Sequence, residues 1–226
     1  MEENLICGAI LSAPDIRDYH LHAKTNKFPE SFELPMPEAK QQGMVGSCVA
    51  HALATIIEYY NKKEYTFHLP MSVGYIYGNR ISGTHRDAGM NIRDALKDLR
   101  NEGDVPEYLF PVNVEVPDIY RLVEQCKEEL RPKALPHRIS SFARVYTIDE
   151  MKAALYSGYP IIFAIDWYKK AAVRDGVLGF DSKTSNGCHC MVIYGWNEKG
   201  WLFQNSWGPL WGNRGRAILP YSTSIH

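Results

Sequence analysis

Apolar residues at Val49, Leu53, Ile56, Ile57 and Tyr60 recur at helical spacing and predict a helix over residues 48–62 with one face turned to a core. A second, shorter helix is predicted over 71–80, after Pro70, with Val73, Ile76 and Tyr77 on one side. The stripe Ile92, Ala95, Leu96 and Leu99 predicts a third over 91–101, stopped by Gly103. Residues 106–117 read as a proline-punctuated connector, and 118–130 as a further helix. From about Pro136 the period changes. Phe142, Val145 and Tyr146 begin strand-like text, interrupted by a short helix whose start, Thr147-Ile148-Asp149-Glu150, has the form of a capping box. Segments 159–165, 191–196 and 201–205 then read as strands. Helices first and strands later predict an α+β chain of two unlike lobes, without internal repeats.

The N-terminal stretch lacks such a pattern. Residues 1–33 carry Pro14 and Pro29 and predict an extended leader over a body formed by 34–226. The body divides into a mainly helical lobe, about 40–135, and a β-rich lobe, about 136–226. The leader's dense polar cluster, Asp15-Ile16-Arg17-Asp18-Tyr19, reads as a surface turn held by local ion pairs.

Composition narrows the classes. With 226 residues the chain suits one compact unit. Its 25 Lys and Arg nearly balance 26 Asp and Glu, so nothing electrostatic favours nucleic acid or an anionic membrane. No apolar run is long enough to span a bilayer. Met1-Glu2-Glu3-Asn4 places acid where a cleavable signal peptide wants base, so the expected location is the cytoplasm, or export without such a signal. Cys7, Cys48, Cys126, Cys188 and Cys190 are odd in number, and Cys188 and Cys190 are too near in sequence for a conventional disulfide. A reducing compartment, or a fold independent of disulfides, is the simpler expectation.

Candidate chemistry starts where Gln42-Gly43-Met44-Val45-Gly46-Ser47-Cys48 runs into the first helix. Ser47 is a plausible N-cap, which puts Cys48 in the first turn, where unpaired amides and the helix dipole favour a thiolate. A buried structural thiol is nevertheless the commoner fate of a single cysteine. Asn197-Glu198-Lys199-Gly200 can turn strand 191–196 back into 201–205, with Val192 roughly opposite Asn205 and His189 toward the same end. A bulge or twist must close the remaining offset. Alone, each of these is more often an ordinary hydrogen-bonded residue; together they supply a Cys–His–Asn set. Metal binding by Cys188-His189-Cys190 is disfavoured, because strand alternation points the cysteines to one face and the histidine to the other.

Gln42 followed by Gly46-Ser47-Cys48, then Asn186-Gly187-Cys188-His189, then Gln204-Asn205-Ser206-Trp207-Gly208 and Trp211-Gly212 resembles the papain-family cysteine peptidases over about residues 34–220. The leader cluster also resembles a segment that precedes the domain in bacterial members. The resemblance implies a papain-like two-lobed α+β fold, a helical lobe and a β-barrel-like lobe with a cleft between them. It implies an endopeptidase acting on peptides or proteins as a monomer without cofactor, with Cys48 as nucleophile, His189 as base and acid, and Asn205 orienting His189. Gln42 and the Cys48 N–H would form the oxyanion hole, and Trp207 would cover the His189–Asn205 bond.

Departures are informative. Val49 stands where the family has an aromatic residue, and Val45 where it has a disulfide-forming cysteine. Gly89-Met90 falls near the family's substrate-binding double glycine. Ile92, Ala164, Cys188 and Cys190 would line the pocket for the second residue before the scissile bond, implying an apolar preference. The leader is too short for the usual helical pro-domain; it is expected to brace the fold, with a plug across the cleft as the alternative. The same triad would also serve a transpeptidase or amidase, and the fold a non-catalytic binding protein.

Overall fold

The computed structural model describes residues 7–13, 15, 18–21, 27–80 and 89–226. The leader contributes β1 (Ala9–Ile10) and β2 (Phe32–Glu33). Helix α1 (Cys48–Tyr65) follows, then α2 (Val73–Gly78), β3 (Met90–Asn91) and α3 (Ile92–Asn101). Next come α4 (Ile119–Ala134), α5 (Ile148–Tyr156), β4 (Ile161–Tyr168), β5 (Ala171–Arg174) and β6 (Val177–Phe180). The chain closes with β7 (Ser185–Asn197), β8 (Gly200–Gln204) and β9 (Arg216–Pro220). Helices lead and strands follow, so the α+β expectation stands.

Helix α1 is the central element, and its surroundings differ from those of a helix with one buried face. Val49, Ala50, Ala52, Leu53, Ala54, Ile56 and Ile57 are all buried, because the alanines let β7 and neighbouring helices approach closely on several sides. Polar groups on that helix therefore need partners. Glu58 accepts the Met71 N–H at 2.8 Å and meets Lys40 at 2.6 Å, tying the chain before and after the helix to its middle. Helix α2 begins two residues later than the 71–80 expectation, because Ser72 accepts the Tyr75 N–H at 3.1 Å as its N-cap. Helix α4 runs past residue 130 through Pro132; the carbonyl left without a partner belongs to Glu128, which is exposed to water. Thr147 and Glu150 form the expected capping box.

The sheet runs β2-β7-β8-β9-β6-β5, with β4 paired to β7; only β6–β9 is parallel within it. The path is open among the described residues, so the barrel-like lobe does not close into a full barrel. Val192 pairs with Gln204 rather than Asn205, and the register shifts between Ile193 and Gly195. Carrying the Val192–Gln204 register one step further puts Asn205 opposite Met191, two residues from His189 and on its face. The one-residue difference lets the two side chains meet.

The leader is bound along its course. Strand β1 pairs in parallel with β3, and β2 pairs with the far end of β7. The Asp18 N–H donates to the Asp15 carbonyl at 2.9 Å, as a turn would, and its carboxylate is bound from the body as well: Arg93 of α3 donates to it through Nε at 3.1 Å and Nη2 at 2.5 Å, and Arg144 stands 3.6 Å away. Arg93 also donates to the Ala13 carbonyl at 2.8 Å, and the Trp196 indole donates to the Pro29 carbonyl at 3.1 Å. Residues 1–6, Pro14, Ile16 and Arg17 lie outside the described residues.

Candidate active site

Cys48 opens α1 at the wall of the sheet, with no exposed surface. Ser47 occupies the cap position but makes no capping bond. Its hydroxyl is instead 3.2 Å from His51 Nδ1, one turn into the helix. Backbone N–H groups of Cys190, Gly8 and Val49 face the sulfur and favour its anion, yet burial outweighs them and pushes the thiol up. The helix-mouth expectation of an easily ionised thiol therefore fails for this arrangement, because dehydration exceeds what the helix terminus returns.

His189 sits on β7, fully buried, with Nε2 donating to Asn205 Oδ1 at 2.7 Å. That bond assigns the proton to Nε2 in the neutral ring and leaves the Nδ1 lone pair, which has no hydrogen-bond partner. Burial holds the imidazole down to about 4, against the opposing bond from Asn205. Asn205 Oδ1 also accepts the Ser206 N–H at 2.7 Å, so the carboxamide is fixed from two directions. Trp207 lies nearly flat on His189, centroids 4.7 Å apart at 24°, and shields its bond to Asn205. Trp167 meets both rings edge-on, at 5.2 Å from His189 and 4.7 Å from Trp207.

Gln42 is buried beside them and ties the two lobes together. Its backbone N–H donates to the Ser206 carbonyl at 2.8 Å. Its Oε1 accepts the Ser206 hydroxyl at 2.6 Å, and its Nε2 donates to the Val45 carbonyl at 3.0 Å. Cys48, His189, Asn205, Gln42 and Trp207 are thus assembled at one place from the α1 mouth, β7 and the turn after β8. Sequence reasoning missed Ser206, Trp167 and His51; the first stands inside the quoted motif, next to Asn205, and was within reach.

Of the expected substrate contacts, Gly89 and Met90 are covered by the leader. The Met90 N–H donates to the Gly8 carbonyl at 2.7 Å, and a Cβ on Gly89 would come within 1.6 Å of that oxygen. A Cβ on Gly8 itself would fall 2.0 Å from the Gly46 carbonyl. Ile92 is half-buried on α3. Ala164 and Cys190 are cross-strand partners with no exposed surface, and Cys188, half-buried, faces Asp166. All five cysteines are free thiols.

A thiol at a helix mouth, an Asn-held imidazole under a tryptophan and a buried Gln between two unlike lobes define a cysteine-protease class of fold. The chain belongs to the papain family of cysteine proteases, whose profile it matches over residues 29–221. Among curated proteins it is 26% identical over 197 residues to an uncharacterised peptidase C1-like protein of Acanthamoeba polyphaga mimivirus, covering 80% of this chain and 63% of that one. It is 25% identical over 213 residues to a viral cathepsin of Adoxophyes honmai nucleopolyhedrovirus, covering 89% and 58%. The chain therefore spans about three fifths of the length of these viral relatives. Xylellain, a cysteine protease from Xylella fastidiosa, superposes with a TM-score of 0.85 at 27% identity, over 96% of this chain and 90% of that one. Procathepsin B S9 from Trypanosoma congolense shares the fold, with a TM-score of 0.74 at 16% identity over 95% and 80%.

Proposed function

We propose that residues 34–226 form a cysteine endopeptidase and that the leader, residues 1–33, holds it latent. The observation that carries the catalytic reading is the His189–Asn205 bond of 2.7 Å beneath Trp207, which leaves Nδ1 as an available base. Once the cleft is open, Cys48 Sγ attacks the scissile carbonyl while His189 Nδ1 takes its proton. Asn205 steadies the resulting imidazolium. The oxyanion is received by the Cys48 N–H and the Gln42 amide. His189 then protonates the leaving amine, a thioester remains on Cys48, and water activated by His189 releases the acid.

Latency rests on backbone contacts. With Gly8 bonded to Met90 and pressed on Gly46, an extended substrate cannot add its backbone beside β3. In this seated state burial raises the Cys48 thiol and lowers the His189 imidazole, which favours a neutral pair. Bracing and plugging are compatible here, since β2 and Asp18 anchor the strand that crosses the cleft. The test is covalent: iodoacetamide or an epoxide should label Cys48 and abolish peptide cleavage, and Cys48→Ala should be inert. Turnover that survives in Cys48→Ala would refute the assignment.

A further inference from the structure

The leader brings a second thiol to the catalytic one. Gly8 is fixed by its carbonyl on the Met90 N–H and by its contact with the Gly46 backbone, two residues before Cys48. Cys7, the residue before it, is packed into the same core, with its Cβ 3.2 Å from where a Cβ on Gly187 would lie. Glycine at 187 thus makes room for the Cys7 side chain between the α1 mouth and the start of β7. Cys48 is the first and Cys188 the second of the charged neighbours that the Cys7 thiol would feel if ionised. No disulfide joins them, and the residue after Cys7, Gly8, turns its backbone N–H to the Cys48 sulfur, so two free thiols lie close together in the same packed region.

We propose that Cys7 and Cys48 form a reversible disulfide that ties the leader into the cleft when a small-molecule disulfide is present. The proposal rests on Cys48 being the reactive thiol of the site. The Cys48 thiolate attacks one sulfur of the oxidant RSSR, forming a mixed disulfide and releasing one RS⁻. Cys7, deprotonated, then attacks the Cys48 sulfur and releases the second RS⁻. Two protein thiols lose two electrons and two protons in all, and RSSR leaves as two RSH. Seated, both thiols are raised by burial, Cys7 to about 12, so the first step belongs to the moments when the leader lifts. Reseating then delivers Cys7 to the mixed disulfide at high effective concentration. A dithiol reverses the tie and restores the latent but openable enzyme.

The test uses the full chain, reduced and then exposed to oxidised glutathione, with peptide mapping under non-reducing conditions. The expected product is a peptide pair joining Cys7 to Cys48, lighter by two hydrogens, and activity falling by about tenfold or more until dithiothreitol is added. In Cys7→Ser, Cys48 should stop at the glutathione adduct; in Cys188→Ser, the Cys7–Cys48 pair should still form. A wild-type chain that keeps the adduct on Cys48 with Cys7 free, or that joins Cys7 to Cys188, overturns the proposal. Failure of the catalytic reading looks different: the reduced chain with its leader loosened by Gly8→Ala would neither cleave peptides nor alkylate at Cys48, whatever the disulfide map.

Discussion

Removing one charge in the leader should switch the enzyme on without touching the cleft. Asp18 is held by a two-pronged bond from Arg93, at 3.1 and 2.5 Å, and by Arg144 at 3.6 Å, with its side chain only 11% exposed. Arg93 holds the carboxyl below its ordinary value of 3.8, so the clasp is intact at neutral pH and is lost only as pH falls through that lowered value. In Asp18→Asn one bond becomes an ordinary one and the other is lost, because the amide nitrogen is a donor facing the guanidinium, at a cost of about 2 kcal/mol. If this energy resides only in the seated state, the open fraction, and with it kcat/KM, rises by about 30-fold. The assay is initial-rate cleavage of a fluorogenic peptide by the reduced full chain, beside the rate of Cys48 alkylation by iodoacetamide. Both rates should climb by the same factor. Peptide cleavage unchanged in Asp18→Asn, with Cys48 alkylation also unchanged, would refute the idea that the clasp controls access.

Other outcomes follow from the same contacts. Gly8→Ala puts a Cβ about where the Gly46 carbonyl lies, so the leader cannot seat and the variant should be active without any priming step; equal latency to wild type, read by the same peptide assay, would count against the plug. Ser206→Ala removes the hydroxyl bond to Gln42 Oε1, so the oxyanion donor is held less firmly: kcat should fall by about tenfold with KM nearly unchanged, measured in the Gly8→Ala background, and a change in KM alone would contradict this role. His51 and His189 are both neutral in the fold, each lowered to about 4 by burial, while the unfolded chain titrates near 6.5. The unfolded state then binds more protons as pH falls from 6.5, so stability is lost between there and about 4, by about 3 kcal/mol for each histidine. Burial raises Asp98 to about 6 and Asp104 well above its ordinary value, which acts in the opposite direction over this range, so the readout is the difference between variants: urea unfolding at about pH 7 and about pH 4 should show His51→Phe losing about 3 kcal/mol less than the wild type on acidification.

Helices were legible where periodicity and caps agree, as with Thr147 and Glu150 at the start of α5. The short strands were not. Strands β5 and β6 are four residues each, joined through Asp175 and Gly176, both at positive φ. An Asp-Gly pair between alternating apolar residues is a strong hairpin signal, and here it was present in the sequence but passed over. Proline at 132 stops a helix by rule, but in α4 the only carbonyl it strands is at exposed Glu128, so the rule costs little there. That the sheet stays open was not legible for a different reason: closure depends on which strand edges meet, and no local pattern encodes that.

The site divides the same way. Cys48, His189 and Asn205 could be picked out as candidates through the joint motif they form rather than through local rules, since each alone reads as an ordinary residue of a helix mouth, a strand or a hairpin end. What they do at rest was not legible, because it depends on a contact made almost without side chains. Gly8 meets Gly46 and Met90 through backbone alone, and a glycine that touches a glycine leaves no hydrophobic trace in a sequence. Burial, meanwhile, raises Cys48 and lowers His189 in this seated state. The helix terminus offers Cys48 several N–H groups, which in water would favour the thiolate; under the leader the loss of hydration exceeds them. On the proposed latent reading, the ion pair needed for attack and the seated leader would oppose each other on electrostatic grounds as well as steric ones, so a thiolate and imidazolium formed in the open cleft would disfavour the leader's return. Substrate, which supplies an electrophilic carbonyl to the same thiolate, competes with the leader for the open state, so its concentration should set how long the enzyme stays active once released.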